Sequence, residues 1–196
     1  ENGVDVDYYS IPAETVDRNR VFFAASFDSF SNQDAVEFFV KEILPRVRSV
    51  KPDISFWMVG KDPPDRLKRY AKKYPEVHFT GTVPDVKKYI SKSAICMVPL
   101  RIGSGSRLKI LEAMAMKKPV VSTELPGVME EFGTGNGIYY VKRPEQVVAK
   151  ALELIENEDL AESGINARRF VEGLTWERSA KEFEDILNYA LNIKRS

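Results

Sequence analysis

Between residues 20 and 156, short continuous apolar runs alternate with stretches whose apolar residues recur every three or four positions. The runs are Val21–Ala25, Ile54–Val59, Val77–Gly81, Ala94–Pro99, Pro119–Ser122 and Gly137–Val141. An unbroken apolar run of this length suits a strand buried on both faces. The intervening stretches predict helices over Asn32–Val50, Pro63–Lys73, Asp85–Ser91 and Gly105–Met116. In the first of these, Ala35, Phe38, Phe39, Ile43 and Val47 form the inward stripe. Strand–helix alternation of this kind predicts an α/β domain, with a mostly parallel sheet of about six strands and helices on both faces. Beyond Pro144 three helical stretches follow without strands, over 144–156, 158–172 and 176–193, the last capped by Thr175.

Length and charge narrow the function classes. The 196 residues make one domain able to bury roughly 70% of the unfolded chain's surface. Twenty-nine basic and 29 acidic side chains cancel, so there is no basic excess to neutralise a nucleic-acid backbone. A single cysteine, Cys96, excludes an intrachain disulfide framework, and a single histidine, His78, excludes chemistry that needs a pair. No apolar run approaches the roughly 18 residues of a membrane span. The start at Glu1-Asn2-Gly3, without methionine, reads as a cut from a longer protein, with part of the active site elsewhere.

Ligands of an open parallel sheet bind beyond the carboxyl ends of its strands. That rule selects the loops 26–32, 60–65, 81–85, 100–106 and 123–131. The richest is the fourth, at the head of SGSRLKILEAMAMKKPVVST, which runs from Ser104 to Thr123. Gly103 and Gly105 allow close backbone approach, and the amides of Gly105, Ser106 and Arg107 would open a helix, where dipole and free donors favour an anion. Arg107 and Lys109 add positive charge, Ser104 and Ser106 add hydroxyls, and Glu112 can accept from sugar hydroxyls. The pattern lacks P-loop spacing. Read from residues alone, it is an anion site beside a polyol site; the bland alternative is a capped turn with a solvated helix face.

The same string resembles the signature of the retaining GT-B glycosyltransferases, the group-1 family. Other pieces resemble that family in the same order: Asn2-Gly3-Val4-Asp5 with Tyr8-Tyr9 its interdomain linker, Asn32–Pro45 the first helix of its donor-binding half, Phe79–Asp85 the turn beside the base, and Thr175-Trp176-Glu177 the start of its closing helix. The resemblance implies a Rossmann-like domain, the C-terminal half of a GT-B fold, with residues 1–19 as linker, 20–175 as nucleotide-sugar-binding domain and 176–196 as closing helix. It implies transfer of a hexose from a GDP- or UDP-sugar to an acceptor hydroxyl in glycan or glycolipid synthesis, with retention. Glu112 would hold the ribose, Val83, Asp85 and Lys88 the base, and Gly103–Arg107 the sugar and diphosphate. Arg107 and Lys109 would be the catalytic cations. No metal or cofactor is implied, and Asp5 and Asp7 read as turn residues. A glycan or lipid-linked acceptor would be bound by the missing N-terminal half, the fragment alone being inactive. The setting would be cytoplasmic, with membrane contact at most peripheral.

Two departures stand out. Ser104 occupies the position of a second glutamate, and Ser26 and Asn32 occupy those of an Arg and a Lys that clamp the diphosphate in many members. These keep alive a catalytically inactive GT-B-like module with a binding or regulatory role. A non-hydrolysing epimerase or a phosphorylase finds no matching residues. His78, Cys96, Trp57 and Trp176 read as packing residues, and Lys68, Arg69, Lys72 and Lys73 as a solvated face.

Overall fold

The computed structural model describes residues 2–10, 15–103, 108–125, 127–157 and 159–193. In chain order these form β1 (Asp17–Ala24), α1 (Phe30–Phe38), α2 (Leu44–Val50), β2 (Ser55–Val59), α3 (Asp65–Lys73), β3 (Val77–Phe79), α4 (Lys87–Lys92), β4 (Ser93–Val98), α5 (Leu108–Ala115), β5 (Val120–Thr123), α6 (Val128–Phe132), β6 (Ile138–Val141), α7 (Pro144–Glu156), α8 (Leu160–Val171) and α9 (Trp176–Ile193). The six strands are all parallel, in the order β3-β2-β1-β4-β5-β6. Each predicted apolar run becomes one of them. Every residue of β4 and β5 is buried, as strands covered on both faces must be.

Helices α1, α2 and α7 pack with one another's neighbours along one layer, while α5 lies with α8 against β4 and β5. The core between the layers is built from Phe22, Phe39, Phe56, Ile95 and Leu111, all essentially inaccessible. Phe39 and Phe56 meet with ring centroids 4.4 Å apart. Helix α7 is started by Pro144 and by Gln146, whose side chain accepts the Arg143 N–H at 3.0 Å. Its last carbonyls are taken by Arg18, which donates to Asn157 O at 2.9 Å.

Local chemistry explains several differences from the sequence reading. The stretch predicted as one helix over 32–50 is two, α1 and α2, joined by a π-helical turn over Phe39–Ile43. Pro45, just inside α2, has no N–H to donate and its ring crowds the preceding turn, so the helix widens there. The first strand begins at Asp17, inside the segment read as linker. Helix α4 begins at Lys87 because Asp85 turns back to accept the Lys87 N–H at 2.9 Å. Helix α6 falls within a stretch read as loop, because its five residues are too short for a periodic signal.

The N-terminal segment is docked rather than trailing. Val4 is 3% exposed and its N–H donates to Leu174 O at 2.8 Å. A Cβ on Gly3 would lie 2.3 Å from the backbone nitrogen of Trp176. Thr175 caps α9 as expected, accepting the Arg178 N–H at 3.2 Å. Trp176 does not anchor that helix through its indole, which is 48% exposed; the contact is made by its backbone. Among the described residues no helix is long and apolar enough to cross a membrane.

The tightest backbone approach in the sheet is at the end of β2. Gly60 has φ +147°, and an added Cβ would lie 1.7 Å from Ala25 O. Gly60→Ala should therefore cost about 3 kcal/mol in a urea titration, against about 1 kcal/mol for Gly135→Ala, which has positive φ but open space around it. Equal costs would contradict the crowding.

Candidate active site

The strand order reverses between β1 and β4, because the chain crosses from β3 at one edge back to the middle. Their carboxyl ends diverge, and a cleft of roughly 430 Å³ opens there. Ala24, Ala25, Ser26, Ser29, Ser31 and Asn32 form one wall, Leu100 and Ile102 another, and Lys109 and Glu112 of α5 a third, with Val59 and Val86 completing it.

The β1–α1 loop is fixed by its own side chains. Asn32 Nδ2 donates to Ser26 O at 2.7 Å, Gln33 Nε2 to Phe27 O at 2.7 Å, and Ser26 Oγ to Asp28 Oδ1 at 2.7 Å. The stem of the glycine-rich loop is tied to α1 by Arg101, whose Nε donates to Asp34 Oδ2 at 3.1 Å while its guanidinium lies over Phe38. Gly103 has φ +103°, a conformation that suits glycine there.

Lys109 and Glu112 stand three residues apart on α5, on one helical face. Lys109 Nζ donates to Asn32 Oδ1 at 2.9 Å and lies 4.7 Å from the centroid of Phe23. Burial lowers its pKa to about 8, offset by the nearby Glu112 and Cys96. Glu112 is pushed up from the usual carboxylate range by burial, opposed by a hydrogen bond from the Tyr9 hydroxyl and by the charge of Lys109. Burial also pushes the Cys96 thiol up to about 12, which leaves it unreactive.

The predicted site residues are thus distributed unevenly. Lys109 and Glu112 line the cleft, and Gly103 directly follows Ile102, which lines it too. Ser104, Gly105, Ser106 and Arg107 lie outside the described residues. Val83 and Asp85 are half-buried beside the cleft, where Val86 supplies the lining side chain, and Lys88 is exposed on α4. Asn32 and Ser26, noted in the sequence as departures, both line the cleft, and Asn32 is the partner of Lys109. Tyr9 was read in the sequence only as part of the segment resembling the linker, and nothing there related it to Glu112, whose charge helps raise its pKa after burial. His78 stacks on Trp57 at 4.7 Å, away from the cleft, and burial together with Arg20 lowers its pKa. Among the described residues no group of three or more His, Cys, Asp or Glu side chains is placed to hold a metal ion.

The sequence model of the family described as Glycosyl transferases group 1 matches residues 18–157, which include every residue lining the cleft. The chain belongs to that family. An uncharacterized glycosyltransferase of Methanocaldococcus jannaschii is 34% identical over 97 residues, 48% of this chain and 27% of that protein. A probable sucrose-phosphate synthase of Thermosipho melanesiensis is 38% identical over 81 residues, 41% of this chain and 19% of that protein. Among solved structures, the sucrose-phosphate synthase of Thermosynechococcus elongatus matches with a TM-score of 0.75 at 19% identity, over 98% of this chain and 52% of that one. Anabaena HepE in complex with UDP and glucose matches with a TM-score of 0.76 at 16% identity, over 95% of this chain and 55% of that one. The fold is the Rossmann-like domain of GT-B glycosyltransferases. This glycosyltransferase domain spans between about a fifth and about half of these relatives' lengths.

The low folded-state pKa of Lys109 has a stability consequence. Above about pH 8 the folded chain releases this proton while the unfolded chain keeps it up to the ordinary lysine range. The unfolded state then binds more protons, so this group's contribution to stability rises with pH across that window. Between about pH 7.5 and 9.5 wild type should gain about 2 kcal/mol relative to Lys109→Met, read from urea midpoints. A constant difference between the two proteins would contradict the buried placement of Lys109.

Proposed function

We propose that this chain is the donor-binding domain of a retaining glycosyltransferase, which takes a hexose from a nucleoside-diphosphate sugar. The observation that carries this reading is that α5 sets a half-buried cation, Lys109, and a half-buried carboxylate, Glu112, at the crevice where β1 and β4 part. Glu112 accepts from the ribose hydroxyls, while Lys109 and Arg107 neutralise the diphosphate. Gly103 to Ser106 carry the sugar end, and the turn holding Val83, Asp85 and Lys88 borders the base. UDP and glucose in the HepE complex support a nucleotide and a sugar as ligands of this fold.

In the reaction the bond from the anomeric carbon to the diphosphate oxygen breaks, and a bond to the acceptor oxygen forms. The proton of the acceptor hydroxyl passes to an oxygen of the leaving diphosphate, on which negative charge collects as the bond breaks. Fixed donors and cations at that point stabilise the charge. Lys109 is already desolvated by the fold, so it meets the diphosphate without first shedding a full hydration shell. In this reading the positive charge comes from side chains, without metal or cofactor. The acceptor, a glycan or lipid-linked glycan, is bound by a second domain, and the domain alone turns nothing over. The setting is the cytoplasm, with at most peripheral membrane contact.

Calorimetric titration with UDP, GDP and ADP tests the reading. One diphosphate should bind, and Glu112→Ala should weaken it about tenfold to a hundredfold, the range for losing hydrogen bonds to a charged group. Arg107→Ala should weaken the diphosphate far more than the nucleoside. Affinity should fall as pH rises through about 8, approaching tenfold per unit, and Lys109→Arg should flatten that fall. Binding indifferent to Glu112, or losses equal for nucleoside and diphosphate in Arg107→Ala, would overturn the assignment of roles.

A further inference from the structure

Two side chains near the start of α1 reach across to the glycine-rich segment, one on each side of it. Asp34 Oδ2 accepts from Arg101 Nε at 3.1 Å before that segment, and Asn32 Oδ1 accepts from Lys109 Nζ at 2.9 Å after it. The Asn32 carboxamide is held at its other end as well, where Nδ2 donates to Ser26 O at 2.7 Å. Gln33 Nε2 fastens the same turn to Phe27 O at 2.7 Å. One amide therefore spans from the loop leaving β1 to helix α5, and Ser26, Asn32 and Lys109 all line the cleft.

The two cross-links differ in charge. Arg101 meets a carboxylate, so its charge is cancelled where it stands. Lys109 meets a neutral oxygen, and its other close neighbour is the Phe23 ring, with the centroid 4.7 Å away. An ammonium carries three N–H donors. Asn32 takes one of them, which leaves the others and the positive charge at the cleft. The titratable groups that bear on this ammonium are Glu112 on the same helix and Cys96 of β4, while Asp34 of α1 is engaged by Arg101. A carboxylate at position 32 would grip the same ammonium and neutralise it. An amide holds a cation in place without cancelling its charge, an arrangement that suits an incoming anion.

We propose that Asn32 is a positioning residue of the donor site: its carboxamide, anchored on Ser26 O, holds the Lys109 ammonium at the cleft with a neutral oxygen and leaves its charge free for the phosphates of a nucleoside diphosphate. This rests on the donor-binding reading above. Asn32 acts through Lys109, so its influence falls on the charged end of the ligand and not on the nucleoside. Without the amide, the long lysine side chain loses the contact that fixes its direction, and the ordering that Asn32 supplies in advance has to be met when the ligand binds.

The test uses Asn32→Asp and Asn32→Ala in the full 196-residue chain, with two readouts. The first is the Lys109 side chain, followed by NMR against pH and assigned with Lys109→Met. Its titration should move up by about one unit or more in Asn32→Asp, because an adjacent carboxylate favours the charged lysine. The second is calorimetry with UDP, GDP and ADP beside uridine, guanosine and adenosine. Asn32→Ala should weaken whichever diphosphate wild type binds by about tenfold, and Asn32→Asp by more, each leaving the nucleoside within about twofold. In a Lys109→Met background Asn32→Ala should add no loss. A Lys109 titration unmoved in Asn32→Asp, a loss shared equally by nucleoside and diphosphate, or one that persists in the Lys109→Met background would mean that Asn32 holds only its own loop. Any of these overturns the proposal, while wild-type binding keeps the donor reading. Wild type that binds none of the three diphosphates overturns the donor reading itself, and the role of Asn32 with it.

Discussion

Parallel pairing of β1 with β4 sets Phe22 beside Cys96 at the centre of the sheet, although long stretches of chain separate them. That pairing requires the chain to leave β3 at one edge and return to the middle, so the loops leaving β1 and β4 turn to opposite sides. Each loop then has space beneath it that no helix of its own unit fills. All six residues of β4 are buried, so the strand belongs inside the sheet and not at an edge. The cleft follows from strand order before any of its lining side chains is chosen.

Burial then sets the chemistry of what lines it. Lys109 and Glu112 sit near enough to the sheet to lose much of their hydration, which brings the lysine close to neutral pH and pushes the carboxylate upward. Against that burial, the charge of each supports the charged form of the other. Cys96, buried beneath them, is driven in the unreactive direction by the same desolvation. A site of this kind is destabilised when empty and gains when a ligand of complementary charge and hydroxyl pattern arrives.

Much of the fold was legible in the sequence, because a strand buried on both faces writes a continuous apolar run and six such runs became six strands. The boundaries that failed did so for local reasons. Pro45 splits a helix whose stripe looks continuous, Asp85 caps a helix it was expected to join, and α6 is too short to show a period. Trp176 was misjudged because its packing is done by backbone against Gly3, which no side-chain pattern encodes. At the site, Lys109 and Glu112 were visible because their spacing lies within one helix. Asn32, which holds Lys109, was visible in the sequence only as a departure from the pattern the chain resembles. Tyr9 was legible only as part of the segment resembling the linker, because nothing in residues 5–10 announces which distant carboxylate they will approach.

The most direct measurement is a crystal structure of the chain with bound UDP or GDP, whichever it takes up. The account predicts ribose hydroxyls within hydrogen-bond distance of Glu112 and diphosphate oxygens within reach of Lys109, between the ends of β1 and β4. Nucleotide found elsewhere on the domain, or in this cleft with its ribose turned away from Glu112, would contradict it.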